Sequence, residues 1–267
     1  MKRLFPAAFA LAAAVTLGFF LLPLAGLFTR TTPLEVVHRL GTAQARDALV
    51  VSLKTNAIAE ALILAFGTPA AYVLATRRFR GRAVLLTLLE LPLVLPPAVG
   101  GLALLAAFGR FGLLHGAGGI AFTQTAVVLA VCFVAGPFYV RPAVAAFESV
   151  DAGLVDAART LGARPARVFA RVALPLAAAG LGTAAAVAFA RGLGEFGATI
   201  MFAGSLQGVT QTLPLAIYAA FATEFDTAVA LGVLLVAVSA AILLTVKLVP
   251  SWTRFALTSP FRSAPSA

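Results

Sequence analysis

The sequence predicts an all-α polytopic membrane protein with about six transmembrane helices. Of its 267 residues, 61% are hydrophobic and only 11% are charged, whereas soluble domains carry about 25% charged residues. Apolar runs long enough to cross about 30 Å of hydrocarbon recur along the chain. The net charge of +10 comes mostly from basic residues in short segments between those runs. That distribution is typical of membrane topology and lacks the aromatic stacking pattern of a nucleic-acid-binding surface.

We expect a single transmembrane domain, and its segments can be taken in order. The first apolar run, residues 4–28, has the basic start of a signal peptide but continues far enough to span the bilayer uncleaved. The polar segment 29–54 follows on the outer side, where Pro33 favours the start of a short interfacial helix of unassigned role. The second span covers about 48–75, and its Glu60 must face protein or water rather than lipid.

The third span, residues 83–108, contains the run LELPLVLPPAVGGLALL. Pro92, Pro96 and Pro97 cannot all lie in one straight helix, so the span is predicted to be bent or broken. Membranes tolerate such a break only where the freed backbone groups are shielded from lipid. We therefore expect this span inside the bundle, with Glu90 as an intramembrane carboxylate just before the bend.

Two further spans carry intramembrane charges. The fourth, residues 125–147, has Arg141 near its inner end, where a long side chain reaches the interface. The fifth, residues 176–202, contains Arg191 and Glu195, which lie four residues apart and would share one helix face. An internal ion pair is therefore available, and both a packing role and a role in lining or gating a substrate path stay open.

The last third of the chain contains a short apolar stretch at 213–224, which is too short to span and would be re-entrant or interfacial. A sixth span at about 228–249 then leads to a cytosolic tail, 250–267. This map places 12 basic residues on the cytosolic side and 5 outside, the bias expected when both termini are cytosolic. The cytosolic set is Lys2, Arg3, Arg77, Arg78, Arg80, Arg82, Arg159, Arg164, Arg167, Arg171, Arg254 and Arg262; the outer set is Arg30, Arg39, Arg46, Lys54 and Arg110.

The segment between the fourth and fifth spans, DAARTLGARPARVFARVALP, is basic yet has helical apolar periodicity. Gly162 interrupts the first helical piece, and Pro165 suits the first turn of a second. The pattern predicts two short helices that meet at an angle. Their apolar side has no partner within so short a loop, which indicates docking on another protein.

The same segment resembles the EAA loop of permease subunits of binding-protein-dependent ABC importers. The matching spacing is Asp156-Ala157-Ala158, then Gly162, then Val172 and Leu174-Pro175, with Asp in place of Glu and Val in place of Ile. The resemblance implies a type I importer permease fold with a core at about 48–249 and a cytosolic coupling loop, residues 148–175. It also implies that Ala157, Ala158 and Gly162 contact a cleft on an ATPase subunit.

Other stretches are similar to the molybdate-type permeases, close relatives of the sulfate permeases. They include LPLVLPPAVGGLALL, GEFGAT and TQTLPLAIY, and the likeness extends over most of the chain from Ser52 to Ala240. The resemblance implies an oxyanion cargo, molybdate or tungstate before sulfate, that an extracytoplasmic binding protein delivers. It also implies a homodimer in the bacterial inner membrane.

The sequence contains no P-loop motif for binding ATP. A P-loop needs Gly before Lys, and Lys2, Lys54 and Lys247 follow Met, Leu and Val. ATP would therefore bind a separate ATPase chain, and we expect no cofactor, no metal and no catalytic residue here. Candidates for the translocation path or gate are Arg191, Glu195, Thr199, Glu90 and Arg141. A secondary transporter that works alone is the alternative of a different class.

Overall fold

A computed structural model describes the backbone of residues 4–114 and 119–257 and the side chains of 9–114 and 119–245. Within these ranges the chain is all helical and has no strand, which confirms the predicted fold class. The helices are α1 Leu4–Thr29, α2 Pro33–Leu40, α3 Ala43–Thr76, α4 Arg82–Val94, α5 Pro97–Phe108, α6 Gln124–Glu148, α7 Ala152–Thr160, α8 Pro165–Val168, α9 Leu174–Leu193, α10 Gly197–Ala203, α11 Leu213–Phe221 and α12 Phe225–Leu257. A π-helical turn, Phe169–Ala173, joins α8 to α9.

Five of the described helical segments are long and apolar enough to cross a membrane, and a bent pair makes a sixth. The five lie in α1, α3, α6, α12 and the continuous stretch from α8 to α9. The bent pair is α4 and α5, whose axes differ by 115°. The chain is thus a multi-pass membrane protein, and the predicted break in the third span is confirmed.

Two adjacent prolines cause the bend between α4 and α5. Leu95 and Pro96 are extended, with ψ angles of 137° and 132°, because a residue that precedes proline is disfavoured in the helical region. The expectation that the whole span lies inside the bundle is wrong for α4 in the single chain. None of its residues is buried, because the bend carries α4 away from the interior, whereas α5 buries Gly100, Gly101 and Leu104.

The core is built around α6, which packs against α3 on one side and α9 on the other. Its buried positions are mostly small or β-branched, and small residues let membrane helices approach closely. Tyr139 is the largest buried side chain, and its hydroxyl lies 2.6 Å from Thr68 Oγ1 on α3. Core residues shared by the three helices include Ala59, Ile63, Ala135, Ala143, Val144, Ala184 and Ala188.

The fifth span is broken, which the sequence reading did not anticipate. α9 ends at Leu193, and a separate short helix, α10, begins at Gly197. Gly192 and Gly194 weaken the helix at this point because glycine has low helix propensity. Glu195 then caps the new helix, since its Oε1 accepts a hydrogen bond from the Ala198 N–H at 2.8 Å.

α5 and α10 pack with their backbones almost in contact. A Cβ added at Gly101 would lie 2.7 Å from the Ala198 carbonyl oxygen, an atom that cannot move without shifting α10. We expect Gly101→Ala to cost about 1–3 kcal/mol of stability through overpacking. Thermal loss of the monodisperse size-exclusion peak in detergent measures this.

Gly182→Ala is the matched control. Gly182 lies in α9 with no atom within 4 Å of the added Cβ, so the same change there should be neutral or slightly stabilising. Equal melting midpoints for the two variants would contradict the close packing of α5 on α10.

The short helix predicted to start at Pro33 is present as α2, and an ion cluster holds it in place. Arg39 donates hydrogen bonds to Glu224 and Thr227 and lies 3.8 Å from Asp226. The pKa of the Glu224 carboxyl is lowered, mainly by the hydrogen bond that it accepts from Arg39. This cluster ties α2 to the start of α12.

The short stretch at 213–224 contains α11, which packs against α12 and α3. Leu213 and Leu215 are buried, and the Leu213 N–H donates to Ser52 Oγ at 2.7 Å. Ser52 Oγ thus supplies an acceptor for one of the N–H donors that a helix start leaves unpaired.

Candidate functional site

The coupling loop contains the two short helices that the sequence predicts. α7 begins where the Asp151 carboxylate accepts the Gly153 N–H at 2.8 Å. It ends in a Schellman motif, in which Gly162 N–H donates to the Arg159 carbonyl and Ala163 N–H donates to the Ala158 carbonyl. α8 starts three residues after Gly162, at Pro165.

Gly162 sets the angle between the two helices. Its φ is +80°, in the left-handed region that side chains rarely adopt. No atom lies within 4 Å of a Cβ placed there, so backbone conformation and not space requires glycine.

α7 presents an unpartnered surface. None of its residues is buried in the chain. Ala157 and Gly162 are exposed, Ala158 is half-buried, and the Leu161 side chain is 87% exposed. Asp156 faces solvent and pairs with Arg159 at 3.1 Å. The arrangement is an exposed helix with small residues and one apolar projection, which suits close approach by another protein.

Leu174 and Pro175 lie at the base of the loop rather than on its docking surface. They begin α9 directly after the π-helical turn, so Pro175 lies within a continuous helical stretch and has no N–H to donate to the turn before it. Leu174 is half-buried and packs against the core, whereas Pro175 is exposed.

An aromatic cluster anchors the loop to the bundle. Phe169 packs on Tyr72 with ring centroids 4.8 Å apart, and Phe147 lies 5.3 Å from Tyr72. Val168 and Ala173 beside it are buried. These contacts join the π-helical turn to α3 and α6.

A second tie links the same end of α6 to α4. Arg82 donates to Glu148, the last residue of α6, and its Nε donates to the Leu74 carbonyl at 2.6 Å. A cleft of about 580 Å³ separates this tie from α7. No sequence pattern predicts either tie, because the partners are far apart along the chain.

The predicted Arg191–Glu195 ion pair is present, with 2.8 Å between Arg191 Nη1 and Glu195 Oε2. It bridges the end of α9 and the break, so the expectation of one shared helix face is wrong. The Glu195 side chain is only 1% exposed, and the Arg191 guanidinium lies 5.8 Å from the Phe138 ring centroid. Thr199 is fully buried in the first turn of α10, and its Oγ1 has no hydrogen-bond partner among the described residues.

Glu90 and Arg141 form a second intramembrane ion pair, which the sequence did not predict as a pair. Arg141 Nε lies 2.7 Å from Glu90 Oε1, joining α4 to α6. Unlike the first pair, it is open to solvent in the single chain, since the Arg141 side chain is 53% exposed and the Glu90 side chain is 37% exposed. Charges within a span avoid lipid, so this face of the chain must meet water or protein.

A buried polar group that the sequence reading missed surrounds Glu195. Ser52, Thr55 and Asn56 from α3 and Thr212 before α11 line a small cavity of about 10 Å³ beside it. Asn56 Nδ2 donates to the Phe189 carbonyl at 3.0 Å. The polar run in the second span was the available signal.

Comparison with known proteins places these features in a family. A family model described as the binding-protein-dependent transport system inner membrane component matches residues 64–252. The molybdenum transport system permease protein ModB of Mycobacterium tuberculosis is 48% identical over 235 residues, covering 85% of this chain and 88% of that protein. The Escherichia coli K12 protein of the same name is 44% identical over 178 residues, covering 64% and 78%.

Relatives extend beyond bacteria, and the fold recurs in solved structures. A probable molybdenum ABC transporter permease of Haloferax volcanii is 37% identical and covers 88% of this chain and 87% of its own length. A chain of a bacterial alginate ABC transporter in complex with its periplasmic protein superposes with a TM-score of 0.75 at 16% identity, covering 92% and 93%. At that identity the structural likeness shows the fold alone. The family match and the curated relatives show that the chain belongs to the inner membrane permease components of binding-protein-dependent transport systems.

Proposed function

We propose that this chain is the membrane-spanning permease subunit of an ATP-driven importer whose cargo is an oxyanion, molybdate or tungstate in preference to sulfate. The observation that carries the proposal is the 48% identity to a molybdenum transport permease along 85% of the chain. The open Glu90–Arg141 pair within the spans provides a polar route that such an anion needs.

ATP is bound and hydrolysed by a separate subunit and not by this chain. The sequence lacks a P-loop, and the exposed α7 offers a docking surface for a separate ATPase subunit that binds the nucleotide. The contact residues we assign are Asp156, Ala157, Ala158 and Gly162, with Leu174 and Pro175 supporting the base. The distribution of basic residues supports a cytosolic position for this loop and for both termini.

The path lies between two copies of the chain. One copy leaves the charged pair Glu90–Arg141 and much of the apolar surface of α4 uncovered, and charge within a span must be shielded from lipid. A homodimer with these faces toward its two-fold axis covers both. An extracytoplasmic binding protein then delivers the anion at the end opposite α7.

The five path candidates divide by exposure. Glu195 and Thr199 are buried, and Arg191 is held by Glu195 and by Phe138. Arg191 and Glu195 hold the α9–α10 break in place, and Thr199 is enclosed beside them. Glu90 and Arg141 reach the open face and line the route.

Competition for uptake tests the cargo. Proteoliposomes containing this chain, its ATPase and its binding protein should take up radioactive molybdate, and unlabelled tungstate should compete at equal concentration. Sulfate should compete only at roughly a hundredfold excess, a difference of about 2.7 kcal/mol. Sulfate competition equal to that of molybdate would contradict the assignment.

A further inference from the structure

The two intramembrane arginines are in opposite situations. Arg191 is enclosed, because its side chain is 28% exposed and its partner Glu195 is 1% exposed, with the second Glu195 oxygen accepting from the Ala198 N–H. Arg141 is half exposed, and the ion pair with Glu90 is its one polar contact among the described residues. Arg141 is therefore the arginine whose remaining donors an anion can reach more easily.

A guanidinium with free donors on an open face is suited to an anion. Its planar fork binds two oxygens of a carboxylate or a tetrahedral oxyanion at once. Glu90 reaches it only at Nε, at 2.7 Å. Pro137 and Val140 lie beside the pair, and an apolar wall of this kind lowers the local dielectric and strengthens the attraction of Arg141 for any anion.

Glu90 fits the role of a resident counter-ion. A lone arginine within a span is strongly disfavoured, so an empty path needs a negative charge next to Arg141. The carboxylate sits on α4, which has no buried residue and joins α5 through the bend at Leu95 and Pro96. Because the Glu90 side chain is 37% exposed, a change of its rotamer can carry the carboxylate away from Arg141 while α4 stays in place.

We propose that Arg141 is the oxyanion contact within the path and that Glu90 is an exchangeable counter-ion, which occupies Arg141 when the path is empty and yields to the passing anion. This inference rests on the proposed function and deepens it, because it assigns Arg141 to the cargo and gives Glu90 a different role from that of Arg141. A pair that only holds α4 to α6 would need both partners equally.

Three substitutions separate the two roles: Glu90→Gln, Arg141→Gln and the double variant carrying both. Glu90→Gln keeps the cation and leaves an amide oxygen that can still accept from the half-exposed Arg141, so this variant should fold and retain at least half of the wild-type molybdate uptake. The double variant removes both charges and leaves none uncompensated, and its uptake should fall about tenfold, the loss expected for one charge-assisted hydrogen bond. Arg141→Gln should fall further, because the remaining carboxylate repels the anion.

Uptake is measured in proteoliposomes with the ATPase and the binding protein, and ATP hydrolysis is recorded in the same samples. Glu224→Gln breaks the ion pair with Arg39 outside the spans and is the matched control, which should transport like wild type. Arg141→Lys keeps the charge without the fork and should be intermediate. A monodisperse size-exclusion peak confirms that each variant is folded.

Equal losses in Glu90→Gln and Arg141→Gln, or wild-type uptake by the double variant, would overturn the inference and leave the importer intact. If the wild-type complex itself fails to accumulate molybdate, the proposed function fails and the inference falls with it.

Discussion

Replacing Gly162 with valine is expected to abolish ATP-driven uptake while the membrane bundle stays folded. The residue has a φ of +80°, and a β-branched residue in this region costs about 1–3 kcal/mol. The exposed α7 has no buried residue to resist that strain, so the helix should change direction rather than unfold the chain. Misplaced, it should no longer fit the ATPase, and co-purification of the two chains should fall at least about tenfold.

Gly162→Asn is the matched control for this experiment. Asparagine tolerates the left-handed region far better than valine does, and the surrounding space is open. The asparagine variant should keep most of the complex and most of the uptake. If the valine variant binds the ATPase as tightly as wild type does, α7 is not the docking element.

Removing the Glu195 carboxylate is expected to cause the largest loss of stability. Glu195→Ala leaves Arg191 without its partner and removes the hydrogen bond to the Ala198 N–H that starts α10. Breaking a buried ion pair on one side costs about 3–5 kcal/mol, and the lower end applies because the Arg191 side chain is 28% exposed. Thermal loss of the size-exclusion peak in detergent measures the change.

A double variant, Glu195→Gln with Arg191→Met, controls for the uncompensated charge. Glutamine keeps an acceptor for the Ala198 N–H, and methionine removes the cation while filling similar space. The double variant should recover more than half of the loss in melting temperature. If Glu195→Ala melts like wild type, the pair is not what stabilises the break between α9 and α10.

Proline and glycine explain which helix breaks could be predicted. Three prolines in the third span left no alternative to a bend, and α4 and α5 meet at 115°. The break at Gly194 was missed because glycine only lowers helix propensity, and tertiary contacts decide whether a membrane helix continues. Here the contact that matters is the hydrogen bond from the Ala198 N–H to Glu195. Its two residues are close in the sequence, but no sequence pattern marks them as partners.

The candidate sites that could be predicted are those whose residues lie close together in the sequence. The coupling loop is local, so the positions of Gly162 and Pro165 were sufficient to predict both short helices. The Arg191–Glu195 pair is also local and was predicted from its spacing. The Glu90–Arg141 and Arg82–Glu148 pairs join positions 51 and 66 residues apart, and single-sequence reasoning has no means to match such partners.

Radioactive molybdate accumulation in proteoliposomes is the most direct test of the claim that force comes from a separate nucleotide-hydrolysing subunit. Vesicles with this chain, its ATPase, its binding protein and ATP should accumulate the anion against a gradient. Vesicles that lack the ATPase should show none, with or without an ion gradient. Accumulation by this chain alone would contradict the account.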